Sequence, residues 1–310
     1  MGQGIGFGKV ILFNEHFVVY GIPAVVSAVG AKTTALVERE GGSGYELKDE
    51  RPETPGYKAE KLQQQKESLD IMLKFMNIDT QHDHYVITLG GDLIAASGVG
   101  ASAASCAAIA RAFSEELNLN FSDEKVNAVA YEGEKGYHGT PSGIDNTAAT
   151  YGGLIWYRRE GTTQLMERMR LRKPVEIVMG NTGQVADTKI VVAGVKERKE
   201  REPEKYGRLF QDAEKLVWNA RKQLENFNLE YVGAYMNENH RLLQEIGVSS
   251  PELDTMVQLA RESGALGAKL TGTGKGGYMV ALTPGRELQN RVANEIARHG
   301  AQALLTQIGV

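Results

Sequence analysis

The sequence is poor in cysteine and in long apolar runs. Cys106 is the single cysteine among 310 residues, so an intrachain disulfide and a cysteine-rich metal site are both excluded. No stretch approaches the roughly 18 apolar residues of a membrane-spanning helix, and the N-terminus lacks the basic and apolar pattern of a signal peptide. These absences predict a cytoplasmic protein without a membrane partner, in which Cys106 is a small packing residue.

The charge balance also excludes one class of partner. The formal net charge is -4, which argues against a protein that binds nucleic acid by broad neutralisation of phosphates. Hydrophobic residues make up 42% and charged residues 24% of the chain, which is typical of a globular protein. The length allows two compact domains.

The hydrophobic pattern changes between strand-like and helix-like periods along the chain. Residues 41–55, rich in glycine, proline and charge, are expected to form an exposed excursion. Strands are predicted at 10–13, 33–39, 85–89, 152–157, 175–179, 268–271, 278–282 and near 303, and helices at 58–76, after residue 102, from Ser122, and at 204–226, 229–246 and 284–298. This order predicts an α+β protein with a domain at 1–180 and a second, helix-rich domain at 181–310.

Three glycine-centred motifs stand out from this background. The first, at residues 6–21, places Lys9 before an apolar strand and Glu15 and His16 just after it. A lysine at a buried strand needs a charge partner or a polar ligand. The plain alternative is a solvated lysine at a strand end with an ordinary glutamate–histidine pair in the following loop. No Walker A motif or dinucleotide fingerprint occurs in the chain.

The second motif is a glycine-rich turn that leads into a predicted helix. Two glycines followed by small residues let the backbone approach an anion closely at a helix N-terminus. The alternative is an ordinary glycine-rich helix cap. The candidate phosphate-binding residues are Ser97, Gly98, Val99, Gly100, Ala101, Ser102 and Ala103.

Two spaced carboxylates, Glu134 and Asp145, follow the second motif. The third motif, a glycine run at 272–277, lies between two predicted strands and also fits a plain hairpin. Each acid alone could be a surface charge. Together, however, the motifs supply backbone amides for phosphate, oxygen ligands for magnesium and a carboxylate for a substrate proton. The combination predicts a small-molecule kinase.

These motifs, in this order, resemble those of the GHMP kinase superfamily, and within it those of the mevalonate kinases. The resemblance covers nearly the whole chain. The segments that carry it are GKVILF-x-EH-x-VVYG at 8–21, YEGE at 131–134, HGTPSGIDN at 138–146, TK-x-VVAGV at 188–195 and MN-x-NH-x-LL at 236–243.

The resemblance implies ATP-dependent phosphorylation of the 5-hydroxyl of (R)-mevalonate to 5-phosphomevalonate, a step of isoprenoid biosynthesis, with ATP and Mg²⁺ as cofactors. It implies an N-terminal mixed-sheet domain and a C-terminal ferredoxin-like domain. Asp145 and Lys9 match the catalytic positions, and Ser102 and Glu134 match the magnesium ligands. The positions that match the substrate pocket are Lys9, Glu15, His16, Asp145, Thr188 and Gly272.

The chain departs from the usual family pattern at several points. Asn14 replaces a glycine before Glu15, and the turn survives if asparagine accepts a positive φ there. Ala101 replaces the first serine of the phosphate motif, whereas Ser102 remains. Thr273 and Lys275 stand where alanine and glycine are usual.

Two alternatives stay open at the level of sequence. Another GHMP small-molecule kinase, such as a phosphomevalonate kinase, would need an additional cluster of basic residues for its phosphorylated substrate. A metabolite sensor on the same fold would bind ligands without turnover. Oligomeric state, with a homodimer as one candidate, and feedback inhibition by isoprenoid diphosphates are not determined by these motifs.

Overall fold

The computed structural model describes residues 1–96, 98–160, 163–184, 186 and 188–310. The chain forms two compact units, one of residues 1–9 and 28–152, the other of residues 10–27 and 153–310. Residues 153–180, assigned to the first domain from the sequence, belong to the second unit by this division; the boundary near 181 stays a prediction. Within the described ranges, no helix is long and apolar enough to cross a membrane.

The first unit contains a mixed sheet. Strand β2 (Ala24–Gly41) pairs antiparallel with β4 (Asp83–Gly91), and β3 (Gly44–Asp49) pairs parallel with the other edge of β4. Mixed pairing of this kind was predicted for the N-terminal half. The strands that contribute are the first part of β1 (Gly2–Phe13), the second part of β2 (Ala24–Gly41), β3 (Gly44–Asp49) and β4 (Asp83–Gly91).

The expectation of an exposed excursion at 41–55 is confirmed only in part, because many of its residues are exposed but the segment is not a simple excursion. The segment contains β3, whose Tyr45 and Leu47 pack against the core of the unit, and it contains Arg51, which is 5% exposed. Glycine and charge dominate the local composition, but alternate residues of β3 reach the core because β4 is available as a pairing partner.

Among the described residues of the first unit, four helices cover the core. Alternating strand residues such as Val37, Ile87 and Leu89 meet apolar helix residues such as Met72 and Val129, as period-2 and period-3.6 patterns require. The helices are α1 (Tyr57–Met76), α2 (Ala101–Glu116), α3 (Asp123–His138) and α4 (Ile144–Tyr151). The Ser122 hydroxyl caps α3 by accepting a hydrogen bond from the Lys125 amide.

Strand β1 and helix α2 touch through their backbones. A Cβ added at Gly2, Gly4 or Gly6 would lie 2.0–2.2 Å from a carbonyl oxygen of α2, a separation that no side chain tolerates. Alternate glycines on the strand and the alanine-rich face of the helix therefore allow close packing. This contact fixes α2, and with it the glycine turn at its N-terminus.

The second unit contains an antiparallel sheet. Its strands lie side by side in the order β10 (Gln302–Ile308), β7 (Val175–Asn181), β9 (Tyr278–Leu282) and β8 (Gly267–Thr271). Its chain order is strand, helices, strand, strand, helix, strand, which is the ferredoxin-like arrangement, as expected. A separate hairpin pairs β5 with β6, and β5 also pairs with the first part of β2. The strands are β5 (Leu154–Glu160), β6 (Thr163–Met169), β7 (Val175–Asn181), β8 (Gly267–Thr271), β9 (Tyr278–Leu282) and β10 (Gln302–Ile308).

The helices of the second unit agree closely with the periodicity of the sequence. Helix α6 (Pro203–Glu225) has one apolar face, because its buried residues follow each other at spacings of three and four. They include Leu209, Ala213, Leu216, Ala220 and Leu224. The helices are a short 3-10 helix (Phe17–Tyr20), α5 (Thr188–Arg201), α6 (Pro203–Glu225), α7 (Leu229–Glu245), α8 (Pro251–Glu262) and α9 (Arg286–Arg298).

The close packing of β1 on α2 gives a test of the fold. We expect Gly6→Ala to destabilise the protein by about 1–3 kcal/mol, because the new methyl group would lie 2.0 Å from the Ala104 carbonyl oxygen and force the helix away. Urea unfolding measures the change. The control is Gly207→Ala on an open surface of α6, which should stabilise the protein by about 0.5–1 kcal/mol. Equal midpoints for the two variants would contradict the packing argument.

Candidate active site

The glycine turn lies at the N-terminus of α2. Gly98 and Gly100 have φ of 92° and 74°, and Gly100 is the N-cap of the helix without a side-chain capping bond. As at the start of any helix, the first amides of α2 have no intrahelical partner and can bind an anion. Ala101 and Ala103 are buried, whereas Ser102 is half-buried. The candidate residue Ser97 lies outside the described residues.

Lys9 is held against this turn. Its backbone amide donates a hydrogen bond of 2.8 Å to the Val99 carbonyl. Its stem passes so close to Gly100 that an added Cβ there would lie 2.6 Å from the Lys9 Cγ. The ammonium Nζ lies 3.4 Å from Asp145 Oδ1. The buried lysine therefore has the charge partner that the sequence required, and the glycine at 100 makes room for it.

Asp145 lies in the first turn of α4. Gly143 is the N-cap, with φ of 79°, and its carbonyl accepts a hydrogen bond of 2.6 Å from the Thr147 hydroxyl. The Ser142 hydroxyl accepts from the Ile144 amide at 3.4 Å. A carboxylate at this position is stabilised by the helix dipole. Its side chain is 31% exposed, so a substrate hydroxyl can reach it.

Glu134, on α3, lines a cavity of about 240 Å³ together with His138, Asp145 and Asn146. Burial, followed by the nearby charge of Asp145, raises the pKa of Glu134 to about 8, against a hydrogen bond from Ser102 and the charge of Lys9. Within the part of the chain that the structure describes, Glu134 Oε1 is buried without a hydrogen-bond partner. A buried carboxylate oxygen in that state is suited to a cation.

The substrate-side candidates of the second unit meet at the third glycine motif. The ring Nε2 of His16 lies 2.8 Å from the Thr273 carbonyl, so Nε2 carries the proton and donates it. Burial lowers the pKa of His16 to about 4, which keeps the ring neutral near pH 7. The Thr188 hydroxyl lies 2.7 Å from the Thr273 hydroxyl. Gly272, next to Thr273, has φ of 84°.

Glu15 has a partner that the sequence did not indicate. Its carboxylate forms an ion pair with Lys269 of β8, and both side chains are at most 1% exposed. Burial raises the pKa of Glu15 and lowers that of Lys269, and the attraction between them opposes both shifts. Lys269 also donates to the Leu270 carbonyl at 2.6 Å. A lysine inside an otherwise apolar strand was the available signal, because such a charge needs a buried partner.

Models of the GHMP kinase N-terminal domain and of the GHMP kinase C-terminal region match residues 65–153 and 220–302. The mevalonate kinase of Pyrococcus horikoshii is 33% identical over 97% of this chain and 93% of its own length. The crystal structure of L. major mevalonate kinase in complex with R-mevalonate is 39% identical, with a TM-score of 0.95 over 99% of this chain and 96% of that one.

The chain belongs to the mevalonate kinase family of the GHMP kinases. Kinases of this family use ATP. A phosphomevalonate kinase of Streptococcus pneumoniae, solved with phosphomevalonate and AMPPNP, has a TM-score of 0.74 at 15% identity over 99% of this chain and 100% of that one; that likeness shows a shared fold alone.

Asn14, one departure from the pattern of mevalonate kinases, adopts the backbone that glycine would supply. Its φ is 71°, and its side chain is fully buried. The side-chain amide donates to the carbonyls of Pro23 and Ala213 at 2.9 and 3.0 Å, and the oxygen accepts from Asn239 at 3.0 Å. The backbone amide of Asn14 in turn donates to the side-chain oxygen of Asn239 at 3.1 Å. These bonds offset the strain of the positive φ.

Arg51 is a second residue that sequence reasoning missed. It donates to Asp49 through Nε and Nη2, and Nη1 donates to the Ala101 carbonyl at 3.1 Å and to the Ser105 hydroxyl at 2.6 Å. The buried guanidinium thus braces the first turn of α2 beside Ser102. The segment that carries it was expected to be exposed, which is why composition concealed it.

Glu134 gives a prediction for the pH dependence of stability in the metal-free protein. Because its pKa is raised to about 8 when folded, the unfolded chain loses this proton from about pH 4.5 upward while the folded chain keeps it. The carboxyl therefore lowers stability progressively as pH rises to about 8. We expect Glu134→Gln to gain on the order of 3 kcal/mol relative to the parent protein between pH 5 and pH 8.5.

Urea unfolding with a chelator present, at pH 5 and pH 8.5, measures that difference. Glu67→Gln, on the exposed side of α1, is the matched control and should follow the parent protein at both pH values. A constant offset for Glu134→Gln would contradict the raised pKa.

Proposed function

We propose that this protein transfers the terminal phosphoryl group of ATP to the 5-hydroxyl of (R)-mevalonate, giving 5-phosphomevalonate for isoprenoid biosynthesis. The observation that carries the proposal is the contact between Lys9 and Asp145 beside the glycine turn, 3.4 Å between Nζ and Oδ1. The likeness to mevalonate kinases over nearly the whole chain supports mevalonate as the alcohol substrate.

In this mechanism Asp145 accepts a hydrogen bond from the 5-hydroxyl and receives its proton as the oxygen attacks phosphorus. The Lys9 ammonium then stabilises the negative charge that develops on that oxygen. Little covalent work is needed from the protein, because phosphoryl transfer depends mainly on position and on charge stabilisation. The breaking P–O bond leaves ADP, and the forming P–O bond gives the phosphate monoester.

The glycine turn and its neighbours would bind the phosphates. The amides at the N-terminus of α2 face an anion favourably, and Arg51, whose charge is balanced by Asp49, holds the first turn in place through the Ala101 carbonyl. Mg²⁺ prefers oxygen ligands, and the unpartnered Oε1 of Glu134 with the Ser102 hydroxyl fits that preference. When bound, Mg²⁺ would neutralise phosphate charge.

In the second unit, we propose that Glu15, His16, Thr188 and Gly272 bind mevalonate. A neutral His16 whose Nε2–H is already donated offers Nδ1 as an acceptor for a substrate hydroxyl. Lys269 is committed to Glu15 and so is not a free cation for a second phosphate.

A comparison of substrates tests the proposal directly. ADP release should be fast with mevalonate and at background level with phosphomevalonate, homoserine and galactose. A clear preference for phosphomevalonate would establish the alternative kinase instead. Binding of ATP and mevalonate without ADP release would establish the metabolite sensor.

Variants test the two catalytic groups. Asp145→Asn should remain folded, but with lower stability because Lys9 loses its charge partner, and should lower kcat by roughly 10²-fold or more, the scale of acid–base assistance. Lys9→Met keeps the stem against Gly100 and removes only the charge, and we expect a loss of similar size. Asp212→Asn, at an exposed position of α6, is the control and should keep the parent kcat. Near-normal turnover by Asp145→Asn would remove Asp145 from the mechanism.

A cytoplasmic location and a homodimer stay predictions. Size-exclusion chromatography with light scattering determines the oligomeric state.

A further inference from the structure

The third glycine motif is tied firmly to the second unit. A Cβ added at Gly274 would lie 2.1 Å from the Val248 carbonyl oxygen, and the Lys275 amide donates to the same oxygen at 2.8 Å. The Gly277 amide donates to the Gln184 carbonyl at 2.8 Å. The loop therefore has little freedom to move, and Thr273 within it is a fixed point.

Thr273 contacts two of the proposed substrate-binding residues. Its carbonyl accepts the Nε2–H of His16 at 2.8 Å, and its hydroxyl lies 2.7 Å from the hydroxyl of Thr188. One contact is made by the main chain and the other by the side chain. They can therefore be separated by substitution, because only the second depends on the residue type.

We propose that Thr273 is a positioning residue for the alcohol substrate, whose hydroxyl orients the Thr188 hydroxyl while its carbonyl orients the His16 ring. This inference rests on the proposed function. An alanine at this position would keep the bond from His16 to the carbonyl and lose the bond to Thr188. In this chain, the Thr273 hydroxyl therefore orders the hydroxyl of Thr188.

The physical reason lies in the freedom of an exposed hydroxyl. Thr188 is the first residue of α5 and is exposed, so its hydroxyl would otherwise rotate among several partners, including water. A fixed hydroxyl partner selects one orientation before the substrate arrives, which reduces the entropy lost on binding. A neutral hydrogen bond of this kind corresponds to roughly 3- to 10-fold in affinity.

The constraint on His16 acts in the same direction. His16 has φ of 62°, a conformation that a non-glycine residue keeps only when its surroundings hold it. The bond to the Thr273 carbonyl fixes the ring and its tautomer, leaving Nδ1 as an acceptor. Both substrate-facing groups are therefore oriented from a single rigid residue.

The test compares Thr273→Ala with Thr273→Ser. Thr273→Ala should raise the KM for mevalonate, and its Kd by calorimetry without nucleotide, roughly 3- to 10-fold. The KM for ATP should stay within about twofold of the parent value, as should all constants of Thr273→Ser. Thr255→Ala on α8, which removes another exposed threonine hydrogen bond, is the control for loss of a hydroxyl elsewhere and should change neither KM.

A double variant separates positioning from a general structural effect. Thr273→Ala added to Thr188→Val should weaken mevalonate binding no further, since the hydroxyl that Thr273 orients is already gone. Full additivity, an equal rise in the KM for ATP, or no effect of Thr273→Ala overturns the inference. If the parent protein fails to phosphorylate mevalonate, the proposed function fails instead, and that result precedes any comparison of variants.

Discussion

The ion pair of Lys9 and Asp145 is the interaction on which the rest of the first unit depends. A nearly buried ammonium is costly unless a carboxylate meets it, so the strand that carries Lys9 and the helix that carries Asp145 must be placed together. The glycine turn also holds Lys9 in place. The Val99 carbonyl accepts a hydrogen bond from the Lys9 amide, and Gly100 leaves space for the lysine stem. The backbone proposed to bind phosphate and the charges proposed to be catalytic are thereby held in one structure.

The second constraint is that backbone segments must approach each other closely, and glycine allows this wherever two segments touch. Along β1, alternate glycines let the strand touch the backbone of α2, and this fixes the helix N-terminus. Behind that N-terminus, Arg51 binds the Ala101 carbonyl and the Ser105 hydroxyl. The first turn of α2 is thus held from two directions, which suits its proposed role of presenting amides to phosphate in a fixed geometry.

The second unit uses a different device, a buried polar network around its substrate-side residues. Glu15 is paired with Lys269, Asn14 with Asn239, and His16 with the Thr273 carbonyl. Removing one member of such a pair leaves the other buried and unsatisfied. The network therefore holds Asn14 and His16 at positive φ, so substitutions in it should lower stability and, under the proposed function, also weaken mevalonate binding.

Much of this protein follows from sequence alone. Apolar periods of 2 and 3.6 located most of the strands and helices, although β3, β6 and α4 were missed. The spaced motifs predicted the kinase family and drew attention to Lys9 and Asp145, because those patterns express local geometry and chemistry. Tertiary structure decided the rest. Lys269 and Asn239 lie far along the chain from Glu15 and Asn14, and Arg51 lies far from Ala101 and Ser105. Strand β3 forms only because β4 offers a partner. Such groups are buried by distant segments, and no local composition reports which charge will find which partner once water is excluded.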